Sequence, residues 1–208
     1  MIAPELFNSL APQLGSDLCQ QFVIPEVISL TEDQVFRVRK NAAQNINSIC
    51  RVAGDSECSD RLVPAFVRLC GDPMYRVRRA CAESLVAVSE SVGEAIRVTA
   101  LIPAFLGMLN DSSSEVKQIA ARQSGMFISL LPSSAISTSL LSYYLATACA
   151  TETSTDENEG DSEFHCAFAF PGVLLALGSA RWVEVKQVPV CLIHPIASIL
   201  TLTLIVRL

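Results

Sequence analysis

The fold of this chain is decided by residues 62–80, which read Leu62-Val63-Pro64-Ala65-Phe66-Val67-Arg68-Leu69-Cys70-Gly71-Asp72-Pro73-Met74-Tyr75-Arg76-Val77-Arg78-Arg79-Ala80. The same order of residue types recurs 39 residues before and 39 residues after this stretch. The recurring columns are Pro25, Pro64 and Pro103, then Asp33, Asp72 and Asp111, then Val38, Val77 and Val116, then Arg39, Arg78 and Lys117. Because several columns agree in one frame, the sequence predicts tandem structural repeats.

Each repeat is predicted to be a pair of helices, A and B, joined by a polar turn. Helix A of the first repeat is predicted over about 20–30, where apolar residues follow a helical period. Pro25 is expected near the helix start, where a missing N–H costs least. Helix B is predicted over about 35–52, and the turn aspartate suits either an N-cap or a turn hydrogen bond. Gly54 and Gly93 fit C-terminal stops.

Continuing the 39-residue frame in both directions predicts the organisation of the whole chain. The predicted fold class is an all-α solenoid of helix pairs, which resembles HEAT and armadillo proteins, with an irregular C-terminal tail. Its predicted segments are a lone helix B (1–15), three repeats (20–54, 59–93 and 98–132), helix A of a fourth repeat (138–150), an acidic flexible loop (151–163), helix B of the fourth repeat (164–178) and an irregular apolar tail (179–208). Residues 1–150 form the solenoid, and Pro171-Gly172 is expected to interrupt the last helix.

Composition excludes several classes of protein. Half of the residues are apolar and 17% are charged, which excludes general disorder. The net charge of −6 argues against nucleic acid as the main partner, since phosphate binding needs a basic face. The acidity is local, because six acids and no base lie between Thr151 and Glu163.

No pattern in the sequence indicates catalysis or a cofactor. The two histidines are His165 and His194, and a structural role is favoured for the neighbouring pair His165 and Cys166. The sequence also contains no glycine loop of the kind that binds nucleotide phosphates. From these observations together we expect no catalytic residue, no cofactor and no metal site. The eight cysteines lack C-x-x-C spacing, and the N-terminus lacks the pattern of a secretory signal. Buried free thiols in a cytoplasmic or nuclear protein are the favoured interpretation, with a disulfide framework as the alternative.

The repeats resemble the HEAT family, most clearly in the stretch from Leu62 to Ala80. Residues 1–132, together with Phe164-His165-Cys166-Ala167-Phe168-Ala169-Phe170-Pro171-Gly172-Val173, resemble the regulatory subunit 1 family of protein phosphatase 4. That family is itself similar to the HEAT scaffold subunit of protein phosphatase 2A. The resemblance implies a non-enzymatic regulatory scaffold that binds the catalytic subunit of a serine/threonine phosphatase. The shorter length, the start within a repeat and the divergent tail suggest a truncated or alternatively spliced form.

The resemblance also implies two sets of functional residues. The turns between helices A and B would form a partner-binding ridge, for which the candidates are Phe36, Arg37, Met74, Tyr75 and Arg76. An inter-repeat ladder would comprise Asp33, Arg39, Asp72, Arg78, Asp111 and Lys117, with Lys117 unable to form the forked bond of an arginine. Two interpretations of the wider basic run, which also contains Lys40 and Arg79, stay open: contact with an acidic partner, or ladder plus solvated charge.

The sequence alone leaves open a phosphorylation site, a membrane span and other functions for the repeats. Thr153 and Ser154 each precede an acid by three residues, which is a weak pattern for acid-directed phosphorylation. The apolar stretch 188–206 approaches the length of a membrane span, but two prolines and a histidine argue against one.

HEAT repeats occur in many interaction proteins. A HEAT adaptor of another class, such as a transport or chromatin factor, and a tail-anchored membrane protein are therefore the alternatives to a phosphatase scaffold.

Overall fold

The computed structural model describes residue 13, residues 15–148 and residues 160–186. These residues contain helices and no strand, which confirms the predicted all-α fold class. Eight longer helices are α1 (Ile24–Thr31), α2 (Phe36–Ala53), α3 (Val63–Cys70), α4 (Tyr75–Glu90), α5 (Ile102–Leu109), α6 (Ser114–Ser129), α7 (Thr138–Ala148) and α8 (Gly160–Leu177). The chain divides into two compact units after Ala120, a boundary that falls within α6.

The first unit is built from helix pairs that repeat with the 39-residue period. Helix α1 packs against α2, α3 packs against α4, and α2 and α4 pack against each other. The A helices α1, α3 and α5 also contact their neighbours in sequence order. Large side chains buried between these layers include Ile46, Leu62, Phe66, Leu85 and Phe105, each with 0% exposure. Each repeat therefore covers the apolar face of the next, as expected for a solenoid.

The A helices begin earlier than the sequence predicted. In each repeat a five-residue π-helical turn directly precedes the regular helix, at Cys19–Val23, Cys58–Leu62 and Arg97–Leu101. The proline column follows immediately, so Pro25, Pro64 and Pro103 are each the second residue of a regular α-helix, as predicted for Pro25, and the π-helical turn lies before them. A proline ring clashes with the carbonyl four residues back in a regular α-helix, and the wider π turn removes this conflict.

The turn aspartates form turn hydrogen bonds and are not helix N-caps. Oδ1 of Asp33, Asp72 and Asp111 accepts the backbone N–H two residues later, at 2.7, 2.8 and 2.8 Å. The residues that precede α2 and α4 are Val35 and Met74, whose extended backbones carry no side-chain cap. The open choice between an N-cap and a turn bond is thus decided in favour of the turn bond.

The two predicted glycine stops behave differently. Gly54 follows α2 with φ of +90°, a backbone conformation that favours glycine, so this stop is present. Helix α4 instead ends at Glu90, and Gly93 has φ of −67° at the start of the next helical segment. The prediction that Gly93 is a C-terminal stop is wrong, because this site needs no left-handed backbone.

The second unit contains the end of α6 together with α7 and α8. Helix α8 begins at Gly160, so the end of the predicted acidic loop, residues 160–163, belongs to a helix. Pro171 lies within α8 without ending it, and the predicted interruption at Pro171-Gly172 is wrong. The buried hydroxyl of Tyr144 donates to the carbonyl of Cys166 at 3.0 Å, just before this proline. This hydrogen bond joins α7 to α8 and gives the buried phenol a partner.

Small residues allow α8 to approach α6 closely. A Cβ added to Gly125 would meet Cβ of Ala169 at 2.5 Å and Cε2 of Tyr144 at 2.9 Å. A Cβ added to Gly172 would meet Cβ of Ser129 at 2.9 Å. These positions need glycine because neighbouring atoms fill the space, not because of a special backbone conformation.

The described part of the predicted tail, residues 179–186, packs against this unit. Trp182–Val185 forms a 3-10 turn, and Val185 is buried. Nη1 of Arg181 donates to the carbonyl of Ser133 at 2.6 Å, while its other nitrogens bind Glu184. Among residues 15–148 and 160–186, no helix combines the length and apolar character that a membrane span requires. The stretch 188–206 and the lone helix predicted over 1–15 lie outside the described residues, except for residues 13 and 15.

Candidate protein-interaction site

The first rung of the predicted ladder joins Arg39 of helix α2 to Asp72 in the following turn. Nε of Arg39 donates to Oδ2 of Asp72 at 2.6 Å, and Nη2 donates to Oδ1 at 3.0 Å. The side chains are 16% and 5% exposed, so the pair lies at the edge of the core. Nη1 of Arg39 also donates to the carbonyls of Asp33 and Gln34 at 2.7 and 3.2 Å. The guanidinium of Arg39 therefore stabilises its own turn through two carbonyls and links it to the following turn through the Asp72 carboxylate.

The second rung repeats this geometry one repeat later. Nε and Nη2 of Arg78 donate to the carboxylate of Asp111 at 2.6 and 2.8 Å. Its Nη1 donates to the carbonyl of Asp72 at 2.8 Å. Asp72 consequently binds Arg39 through its carboxylate and Arg78 through its backbone. A continuous chain of hydrogen bonds joins three successive turns.

The last residue of the predicted ladder, Lys117, does not repeat the contacts of the two arginines. Lys117 lies on the exposed side of α6, and its charge lowers the pKa of Asp111. The structure places it beside the second rung and shows no forked bond of the kind that Arg39 and Arg78 make. Asp33 starts the series, since its Oδ1 accepts the N–H of Val35 and its charge raises the pKa of Arg39.

The surroundings lower the pKa of both ladder carboxylates. For Asp72 the largest single effect is burial, which raises the pKa, but the combined hydrogen bonds from Arg39 and Met74 and the charges of both arginines lower it overall. For Asp111 the hydrogen bond from Arg78 dominates and lowers the pKa. The bonds to these carboxylates in turn raise the pKa of Arg39 and Arg78. The charged groups of these four residues therefore bind one another within the chain.

Arg79 is engaged in a similar way, although it lies closer to the surface. It binds Glu83 one turn along α4 at 3.1 Å and Glu115 of the following repeat at 2.8 Å. Another exposed pair between repeats joins Arg68 to Glu32 at 3.1 Å. The sequence pattern did not reveal these two pairs, because neither falls in a column that recurs in all three repeats.

The remaining ridge candidates form two equivalent units on adjacent turns. Phe36 and Tyr75 are the first residues of α2 and α4, and both are half-buried. The guanidinium of Arg37 lies over the ring of Phe36 at 6.0 Å from its centre, and that of Arg76 lies over Tyr75 at 5.8 Å. Nε of Arg76 also approaches the hydroxyl of Tyr75 at 3.3 Å. Both arginines are exposed, so each ring supports a cation that faces solvent.

An apolar residue precedes each aromatic–arginine unit. Val35 is 53% exposed, and Met74 at the equivalent position is half-buried. Sequence reasoning included Met74 among the ridge candidates but missed Val35, which the 39-residue frame would have identified. We call the six residues Val35, Phe36, Arg37, Met74, Tyr75 and Arg76 the turn ridge. The third repeat has Ser113, Ser114 and Glu115 at these positions, so the pattern ends after two repeats.

Outside the turn ridge and the ladder, the described residues form no cluster of catalytic or metal-binding side chains. His165 is exposed whereas the adjacent Cys166 is fully buried, so the two side chains leave α8 in different directions. Within the described ranges, no three His, Cys, Asp or Glu side chains are grouped to hold a metal ion. The six thiols of Cys19, Cys50, Cys58, Cys70, Cys81 and Cys166 are free, and all but Cys70 are buried. Thr153 and Ser154 lie outside the described residues, and their modification stays a prediction.

Comparison with protein families identifies the repeat type. Residues 23–53 match the HEAT repeat model, and residues 75–122 match the HEAT-like repeat model. A search of curated proteins found no match. The chain therefore carries HEAT repeats, whose stacked helix pairs are typical of protein-interaction scaffolds and adaptors. The finer resemblance to phosphatase regulators depends on the sequence stretches quoted above.

Proposed function

We propose that this chain is a regulatory scaffold that binds the catalytic subunit of a serine/threonine phosphatase of the protein phosphatase 4 type. Its role is to hold and direct that enzyme, with no catalysis of its own. The resemblance of residues 1–132 and 164–173 to the phosphatase regulators suggests the partner. The HEAT repeats support the more general role as a scaffold.

The observation that carries the proposal is the turn ridge. Aromatic and arginine side chains are the residue types enriched at the energetic centres of protein interfaces. Here Phe36–Arg37 and Tyr75–Arg76 occur at equivalent positions on consecutive turns, with both arginines exposed. The ladder behind them, Arg39–Asp72 and Arg78–Asp111, fixes one turn relative to the next. The ridge is therefore a preorganised surface, which reduces the entropy lost on binding.

The six free thiols among the described residues support a reducing compartment, and we place the scaffold in the cytoplasm or nucleus.

The test is capture of a purified phosphatase catalytic subunit by the full chain. We expect the wild-type chain to retain the enzyme, and Phe36→Ala combined with Tyr75→Ala to reduce retention at least about tenfold. Phe168→Ala is a matched control, since Phe168 is 71% exposed on α8 and lies outside the ridge. Circular dichroism before capture would show that the variants are folded.

The outcomes separate the alternatives. No capture by the wild-type chain would reject the phosphatase assignment and favour a HEAT adaptor of another class. Capture that survives the ridge double variant would keep the partner but reject the ridge as its binding surface. Equal losses of retention for the ridge variant and for Phe168→Ala would indicate nonspecific hydrophobic binding.

A further inference from the structure

The structure separates the basic residues near the turns into two groups. Arg39 and Arg78 are bound to the ladder carboxylates, and Arg79 is bound to Glu83 and Glu115. Among the residues that the structure describes, no ion pair includes Arg37 or Arg76. Those two are the arginines that rest on the rings of the turn ridge.

A guanidinium held over an aromatic ring is preorganised to bind an anion. The ring restricts the arginine side chain, so less conformational entropy is lost when it binds a carboxylate. Both cations are exposed, whereas the nearby acids Asp72, Asp111, Glu83 and Glu115 are bound to other arginines. The six residues of the turn ridge themselves carry two positive charges and no negative charge, although the whole chain carries a net charge of −6.

The separation of the two arginines follows from helix packing. Arg37 and Arg76 are the second residues of α2 and α4, which pack side by side. Packed helices lie about 8–10 Å apart, which sets the approximate spacing of equivalent residues. A polyproline II segment has about three residues per turn and rises about 3.1 Å per residue, so side chains three positions apart share one side at about 9 Å.

Resting on the proposed scaffold function, we infer that the turn ridge binds an acidic, proline-containing segment of a protein partner, with two carboxylates three positions apart. One carboxylate binds Arg37 and the other binds Arg76. The intervening prolines pack on Val35, Met74 and the rings of Phe36 and Tyr75. Aromatic side chains are common platforms for polyproline II segments, which lose little entropy on binding.

The experiment measures binding of short labelled peptides to the full-length chain by fluorescence anisotropy. The first probe carries two glutamates separated by two prolines. A second has glutamines in place of the glutamates, and a third has the two glutamates adjacent. We expect the first to bind, with affinity falling as salt rises, and the other two to bind about tenfold more weakly.

Matched variants assign the effect to the ridge. Arg37→Gln combined with Arg76→Gln should weaken binding of the first peptide about tenfold. The control is Arg51→Gln, an exposed arginine at the opposite end of α2 that pairs with Glu90 at 3.5 Å. It should leave binding unchanged. Arg37→Glu with Arg76→Glu should instead favour a peptide in which lysines replace the glutamates.

Several results would overturn the inference. They are equal binding of the glutamate and glutamine peptides, equal binding of the adjacent-glutamate peptide, or equal loss with Arg51→Gln. Equally tight, ridge-dependent binding of a single-stranded oligonucleotide would show unselective anion binding and would also overturn it. Phosphatase capture without peptide binding would reject this inference alone. Peptide binding without phosphatase capture would reject the proposed partner and leave the inference standing.

Discussion

Arg39 and Asp72 form a forked ion pair between consecutive repeats, with Nε to Oδ2 at 2.6 Å and Nη2 to Oδ1 at 3.0 Å. Arg78 and Asp111 reproduce this arrangement one repeat later. Since Asp72 also accepts a hydrogen bond from Arg78 through its carbonyl, both pairs belong to one network. The packing of consecutive repeats is therefore fixed at the turns as well as in the apolar core.

Replacing Arg78 with lysine should lower the free energy of unfolding. Lysine keeps the charge but cannot donate the two parallel bonds to Asp111 while also binding the carbonyl of Asp72. We expect a loss of about 1–2 kcal/mol, because the pair is only partly shielded from solvent. Urea unfolding followed by circular dichroism measures it. Arg51→Lys at the exposed pair with Glu90 is the control, and an equal loss there would contradict a special role for the ladder.

The ladder carboxylates should make stability depend on pH in the acidic range. The pKa values of Asp72 and Asp111 are lower in the folded chain than the ordinary aspartate value of about 3.9. Their contribution is therefore fully present above that value and is lost as pH falls through the folded pKa. Asp72→Asn with Asp111→Asn should flatten the fall in unfolding free energy below about pH 4. Denaturation curves at several pH values measure this, and an unchanged slope would refute the assignment.

Adding a methyl group at Gly125 should destabilise the second unit. The new Cβ of Gly125→Ala would lie 2.5 Å from Cβ of Ala169 and 2.9 Å from the ring of Tyr144. Overpacking of this kind costs about 1–3 kcal/mol. Gly107→Ala in helix α5 is a matched control, since its Cβ would meet nothing within 4 Å. There the better helix propensity of alanine should stabilise by up to about 1 kcal/mol. Thermal unfolding of both variants should show opposite shifts, and shifts of the same sign would disprove the close packing.

The described thiols should differ in their reactivity. Burial raises the pKa of Cys19 and Cys81, and thiolates are the reactive form. Cys70 is half-buried, whereas Cys19, Cys50, Cys58, Cys81 and Cys166 are buried. Brief alkylation of the folded chain should therefore modify Cys70 before the other five described thiols, as read by mass spectrometry of its peptides. Labelling in denaturant provides the reference in which these differences disappear. Early modification of Cys81 in the folded chain would show that its repeat is not packed as described.

The 39-residue period and the helical spacing of apolar residues within each unit together predicted an all-α chain built from paired helices. Repeated apolar positions dictate which faces must be buried, and the proline and aspartate columns mark the same place in every unit. The sequence also indicated Arg39, Asp72, Arg78 and Asp111 as a set, through their resemblance to a family. It could not reveal the π turns before the prolines, because proline at a helix start and proline after a π turn have the same local pattern.

Only the tertiary structure decided which arginines serve the fold and which face solvent. Arg78 and Arg76 are two residues apart, yet the first binds a carboxylate 33 positions away and the second lies over the ring of its neighbour. That difference arises when the repeats stack, since stacking brings Asp111 to Arg78 and leaves Arg76 on the outer edge of the turn. The same reason applies to Gly125 and Pro171. Whether a glycine is required or a proline is tolerated depends on the helix that packs beside it.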